Sequence, residues 1–253
     1  MDSTLILLCC IAFLAGFVDA IVGGGGLIQT PAGLILMPHE SVARVIGSLK
    51  IPSFTGTFFA AKQYLRLVKI PIKRILLFTS IAFSASFIGS FCLTMVSNHF
   101  MKPVIFIVLV IIAIYTYTKK DFGQTVSNTP THFPWQKGAY ICIALGFYDG
   151  FIGPGAGSLL VLAFISFLGF DFLQANAHAK VVNLATNLGS ILLFMMKGSI
   201  IWTIALPMAV CNALGGIIGS RMAITKGNKF IRIVFLFVII ATLCRLGYDI
   251  FLH

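Results

Sequence analysis

Gly16-Phe17-Val18-Asp19-Ala20-Ile21-Val22-Gly23-Gly24-Gly25-Gly26 ends an apolar run in four consecutive glycines and sets a carboxylate four residues before the first of them. The pattern returns 130 positions later as Gly146-Phe147-Tyr148-Asp149-Gly150-Phe151-Ile152-Gly153-Pro154-Gly155-Ala156-Gly157. The same ungapped offset carries Lys50 onto Lys180, Leu76 onto Leu206 and Gly89-Ser90 onto Gly219-Ser220. It also carries Asn98, Phe100 and Val108 onto Asn228, Phe230 and Val238. A register held over so long a stretch marks an internal duplication. Duplicated halves with interrupted apolar helices are characteristic of secondary transporters, whose sites form between the repeats near the bilayer midplane.

The sequence around the motif excludes a soluble domain. The 253 residues are 58% apolar and 10% charged, with a mean hydropathy of +1.01, against roughly 45–50% and about 25% in soluble proteins. Apolar stretches occupy 5–22, 27–37, 41–64, 71–96, 101–117, 138–152, 158–167, 172–196, 202–223 and 230–252. Barrel strands would alternate over about ten residues instead, so these stretches read as helices. The one extended polar stretch separates a first transmembrane repeat, 1–118, from a second, 138–253, leaving 119–137 as a linker. The first apolar segment has no basic flank ahead of it and is read as part of the mature protein rather than a signal peptide. The expected fold is all-α: a polytopic membrane protein of two inverted repeats, each with a Gly-broken first helix pair.

Loop charges supply the inversion. If each half crosses four times, the basic residues outside the spans divide 10 against 6. If the glycine break turns the chain back, each half has odd parity and the division becomes 12 against 4, with Lys62, Arg66, Lys69, Lys73, Arg74, Lys119, Lys120, Lys137, Arg221, Lys226, Lys229 and Arg232 on one side. The positive-inside rule selects the second arrangement, with a cytoplasmic linker and both termini outside. The formal charge of +11 then faces the lipid of the cytoplasmic leaflet. Nucleic acid is not expected as a partner, because the basic residues sit in short loops rather than along one solvated face. Cys9, Cys10, Cys92, Cys142, Cys211 and Cys244 lie in apolar segments with no C-x-x-C spacing. They read as buried small hydrophobes, with neither disulfide nor metal expected.

The candidate chemistry gathers at the two breaks. Unwound backbone is tolerated at membrane depth only where it is buried in protein or lines a cavity, and a helix restarting there aims free N–H groups and a positive dipole end into that cavity. Gly23, Gly24, Gly25 and Gly26, with Gly153, Gly155, Gly157 and Ser158, are therefore candidate contacts for an anion. The alternative is that the glycines serve close helix packing. A phosphate-binding P-loop would need Lys-Ser/Thr after the last glycine, and a dinucleotide fingerprint would need a preceding strand; neither is present. An intramembrane aspartyl protease would need a Gly-x-Gly-Asp partner to Tyr148-Asp149, also missing. No enzymatic activity and no cofactor is expected.

Asp19, Asp149, Lys50 and Lys180 sit well inside apolar spans, where a charge near the bilayer centre costs at least ~2.5–3.5 kcal/mol and marks a functional candidate. Two readings stand. The four form structural Asp–Lys pairs that tie helices together, or the lysines meet an anionic substrate while the aspartates orient the glycine loops or carry protons. His178 is read as an ordinary polar helix residue or as a proton relay. Asn183, with Ser53, Asn187 and Gln29, offers hydrogen bonds to a substrate.

On the Gly16–Gly26 motif followed by Pro31, on Ser48-Leu49-Lys50, and on Ala177-His178-Ala179-Lys180 followed by Asn183, Asn187 and Gly189, the chain resembles the TauE/SafE family of sulfite exporters and toluenesulfonate uptake permeases. The resemblance covers nearly the whole chain and points to the bacterial branch described as probable membrane transporters. It implies an all-helical, two-repeat inner-membrane carrier for sulfite, sulfonates or related sulfur-containing anions, commonly an exporter. The expected function is secondary transport of such an anion by alternating access. An anion channel using the same midplane site is the alternative.

Overall fold

The computed structural model describes residues 3–97, 100, 101, 103–105, 107, 108 and 135–251, and beyond 226 it describes the backbone alone. The long helices are α1 (Ser3–Val22), α2 (Gly25–Leu36), α3 (Val42–Tyr64), α4 (Ile72–Met95), α5 (Trp135–Phe151), α6 (Ala156–Leu168), α7 (Phe172–Met196) and α8 (Trp202–Phe251). No strand occurs among the described residues. Helices α1, α4, α7 and the Trp202–Lys226 part of α8 are long and apolar enough to cross a membrane. Helix α3 matches them in length, with 23 residues. At 1.5 Å per residue, α2 and α6, with 12 and 13 residues, are too short for a ~30 Å hydrocarbon core. The protein is a multi-pass membrane protein.

Glycine ends α1 and starts the return. Gly23 adopts φ +80°, the left-handed conformation in which glycine stops a helix without steric cost, and its N–H bonds back to the Asp19 carbonyl at 2.7 Å. A methyl group on Gly25 would lie 2.5 Å from the Ala15 carbonyl oxygen. Had the helix continued, ten residues would separate the two by about 15 Å. The chain therefore doubles back, and α2 returns along α1. In the second half Gly153 and Gly155 take positive φ between α5 and α6, and the Tyr148 hydroxyl donates to the Pro154 carbonyl across that turn.

The halves interlock rather than stand side by side. Gly89 of α4 rests on the Phe147 carbonyl of α5, and its equivalent Gly219 of α8 rests on the Phe17 carbonyl of α1. Both contacts cross between halves and match at the same 130-residue offset. Between lipid-immersed helices no water drives association, so approach this close, which only a small residue permits, supplies the packing. Where the helices face outward they carry Leu14, Leu76, Ile88, Leu206 and Leu214, exposed as a lipid-facing surface would be.

Several expectations shift. The stretches 202–223 and 230–252, expected as separate segments, form one backbone helix of 50 residues. No proline interrupts 221–230, and the sequence there continues with helix formers such as Met222, Ala223 and Lys226. At roughly 75 Å it is far longer than a bilayer core is thick, so only part of it can lie within one. Helix α5 begins at Trp135, inside the expected linker; positions 109–134, which hold the rest of the linker and Lys119 and Lys120, lie outside the described residues. Of the cysteines whose side chains are described, Cys142 is buried, Cys9, Cys92 and Cys211 are half-buried, and Cys10 is exposed; the side chain of Cys244 lies outside the described residues. An apolar thiol costs little against lipid, so Cys10 needs no partner there.

Candidate functional site

Two polar caps set the depth of the site. The Ser41 side chain accepts the Arg44 N–H at the start of α3, and the Asp171 side chain accepts the Gln174 N–H at the start of α7, again at equivalent positions. Nine residues on, about 13 Å along each helix, come Lys50 and Lys180. Both are buried.

Each lysine reaches across to the other half. Lys50 Nζ lies 2.9 Å from Asp149 Oδ1 and donates to the Asp149 carbonyl at 2.7 Å. Lys180 Nζ lies 2.8 Å from Asp19 Oδ2 and donates to the Asp19 carbonyl. The second oxygen of Asp149 accepts from the Thr186 hydroxyl and, at 3.5 Å, from Asn183 Nδ2. Asp19 Oδ2 also accepts from Thr57 at 3.3 Å. Thr57 in turn bridges to Asn183 Oδ1 at 3.3 Å, and Asn187 donates to the same oxygen at 3.1 Å. The ammonium groups thus help hold the carbonyls at the ends of α1 and α5, where the helices stop. The four side chains sum to zero net charge, so the lysines alone leave no excess positive charge.

Between the pairs lies a cavity of about 40 Å³, room for about three water molecules at roughly 10–15 Å³ each. Of the candidate residues, Asp19, Gly23, Gly26, Lys50, Asp149, Gly153, Gly155, Gly157 and Asn183 line it, together with Gln29, Ser53 and Asn187. Gly24, Gly25, Ser158 and Lys180 stand behind that lining. Ser158 donates to the Val22 carbonyl at 3.0 Å, and a methyl group on Gly157 would meet the Gly23 carbonyl oxygen at 2.6 Å, so the two breaks touch. His178 lies elsewhere. It packs 4.4 Å from the Phe170 ring centroid, and its Nδ1 lies 2.8 Å from the Gln174 carbonyl.

The positive pole of the cavity comes from backbone. Helices α2 and α6 have Gly24 and Gly155 at their N-cap positions and no side-chain cap, unlike α3 and α7. Gly26, Gly155, Ala156 and Gly157 line the cavity, so the dipole ends of both helices lie beside it; within the first turns the Leu27 N–H donates to the Gly24 carbonyl and the Ala156 N–H to the Gly153 carbonyl. Gln29 braces the wall: its Nε2 donates to the Leu49 carbonyl at 3.1 Å beside Lys50, and its Oε1 accepts from Asn212 at 3.0 Å. Pro52 removes one N–H from α3 in the same turn.

Thr57 and Thr186 were not singled out by sequence, yet both hold a carboxylate. A signal existed for Thr57: Lys50, Ser53 and Thr57 repeat the i, i+3, i+7 spacing of Lys180, Asn183 and Asn187, one helix face. Thr186 has glycine, Gly56, at its equivalent position, so no repeat pointed to it.

A multi-pass helical protein with a small, polar site where two duplicated halves meet is a membrane transporter in architecture. The chain belongs to the sulfite exporter TauE/SafE family, whose pattern matches residues 8–246. It is similar to a probable membrane transporter protein of Haemophilus influenzae, 33% identical over 97% of this chain and 95% of that one. The probable membrane transporter protein ORF9 of Sinorhizobium sp is 33% identical over 94% of this chain and 90% of its own. The probable membrane transporter protein YunE of Bacillus subtilis is 24% identical over 96% and 97%. No solved structure matches the chain.

Proposed function

We propose that this protein is a secondary transporter of a small sulfur-containing anion, sulfite or a compact sulfonate, carrying it outward across the bacterial inner membrane by alternating access. The observation that carries the reading is the pair of helix N-termini without side-chain caps, α2 and α6, meeting at one small cavity. Such termini stabilise anions, because unsatisfied N–H groups and dipole ends converge on them. The cavity size favours sulfite over an aromatic sulfonate. Outward movement of one negative charge across an inside-negative membrane gains ~2.3 kcal/mol per 100 mV. The crossed, symmetric contacts and the chain reversal at Gly23 support inverted repeats, with periplasmic termini, that rock against each other around the cavity.

Reconstituted protein tests this directly. Vesicles preloaded with unlabelled sulfite should accumulate labelled sulfite transiently by counterflow, with saturation, and toluenesulfonate should compete poorly. Ohmic anion currents without counterflow would make the protein a channel. Failure of every sulfur oxyanion and sulfonate to exchange would overturn the reading.

A further inference from the structure

The two crossed ion pairs are equivalent by position but not by environment. The Asp149 side chain is 5% exposed and takes hydrogen bonds from Lys50, Thr186 and Asn183. The Asp19 side chain is 18% exposed, against 1% for its partner Lys180. Among side chains its described hydrogen bonds, from Lys180 and Thr57, both go to Oδ2. Asp19 also borders the cavity, whereas Lys180 does not. Of the two carboxylates that line the cavity, Asp19 is thus the less enclosed, and its lysine is absent from the lining while Lys50, the partner of Asp149, is part of it.

Asp19 lines this small cavity of about 40 Å³, so an oxyanion bound there comes close to its carboxylate. Two anionic oxygens in contact in a poorly solvated site do not both stay ionised; they share one proton. We infer that Asp19 is the coupling site of the carrier: one proton binds with each anion, from bulk water onto the oxygen pair that Asp19 and the anion share, and leaves with it. This inference rests on the anion-transporter reading and adds its coupling ion. For dianionic sulfite the loaded carrier still moves one net negative charge; with a monoanionic sulfonate it is neutral, and the membrane potential then gives no outward drive.

The groups around Asp19 are consistent with that role. Lys180 faces it from α7, and α3 presents Thr57, Lys50 and Tyr64, the last donating to the Ala20 carbonyl. Asp149 of α5 lines the same cavity, held by Lys50. The buried polar side chains of the other neighbours are neutral: Gln29 and Thr30 of α2, Ser158 of α6, Asn212 and Ser220 of α8.

Calorimetry on the full-length protein in buffers of different ionisation enthalpy measures the protons taken up on binding. Methanesulfonate is the quantitative probe, since it does not titrate near neutrality, with sulfite at alkaline pH in parallel. The expected result is about one proton per anion, with affinity falling about tenfold per pH unit on the alkaline side. Asp19→Asn, permanently neutral, should bind without proton uptake and without that pH dependence. Binding by the native protein without proton uptake overturns the inference, and so does uptake that survives in Asp19→Asn. Should Asp19→Asn fail to fold, Thr57→Val, which removes a donor to the carboxylate, must move the pH at which affinity falls; an unmoved profile overturns the inference. If neither anion binds at any pH, the transporter reading itself fails.

Discussion

Removing one partner of the Lys50–Asp149 pair should cost far more stability than removing both. The pair is 2.9 Å apart with both side chains 5% exposed. At an effective dielectric of ~20 the attraction is about 6 kcal/mol, set against a desolvation cost of several kcal/mol for each ion. Breaking such a pair from one side typically costs ~3–5 kcal/mol, because the remaining charge is buried without compensation. Lys50→Met strands Asp149 with only Thr186 and Asn183 as donors, and Asp149→Asn strands the ammonium. The double variant carries no buried charge at this position, so it should be destabilised by no more than either single one. That is a coupling of about 3 kcal/mol, at the upper end of measured interaction energies. Reversible unfolding of the detergent-solubilised protein reads the four corners of the cycle. The corresponding cycle on Lys180 and Asp19 should give a smaller coupling, since the Asp19 side chain is less buried than that of Asp149. Costs for Lys50→Met and Asp149→Asn that simply add would refute the crossed pairing.

Three further outcomes follow from the same geometry. Gly23→Ala forces a side chain into the left-handed region at φ +80° and against Gly157; it should destabilise by at least ~1–3 kcal/mol and abolish transport, read by thermal unfolding and counterflow. Ser41→Ala and Asp171→Ala each remove a helix cap and should cost ~1 kcal/mol apiece without altering which anions compete for transport. Cysteines introduced near either terminus should react with an impermeant reagent from outside while one placed within 125–131 does not; termini on opposite faces would end the inverted-repeat topology.

Much of the fold was legible because the duplication is a property of sequence alone. The offset that pairs Asp19 with Asp149 and Lys50 with Lys180 located every ionisable residue of the cavity, and the glycine runs located both helix breaks. Partner choice was not legible. A repeat says that two aspartates and two lysines are equivalent, but not that each lysine reaches the opposite half; that depends on α1 packing on α8 and α5 on α4, long-range contacts carried by single glycines. His178 illustrates a limit of proximity along the chain. Two residues from Lys180 on a helix is more than half a turn, which sends the imidazole toward Phe170 instead of the cavity. The 50-residue α8 was missed because Arg221, Lys226, Lys229 and Arg232, with Gly227-Asn228 among them, read as a loop, yet no proline stops the helix and it runs through that weak point.

The central claim, that an oxyanion sits between the N-termini of α2 and α6, is tested most directly by crystals grown with selenite, the heavier analogue of sulfite. Anomalous scattering from selenium should give one strong peak within hydrogen-bond distance of the first-turn N–H groups of both helices, beside Lys50 and Asp19. Occupied crystals whose selenium peaks all lie outside that cavity would contradict it.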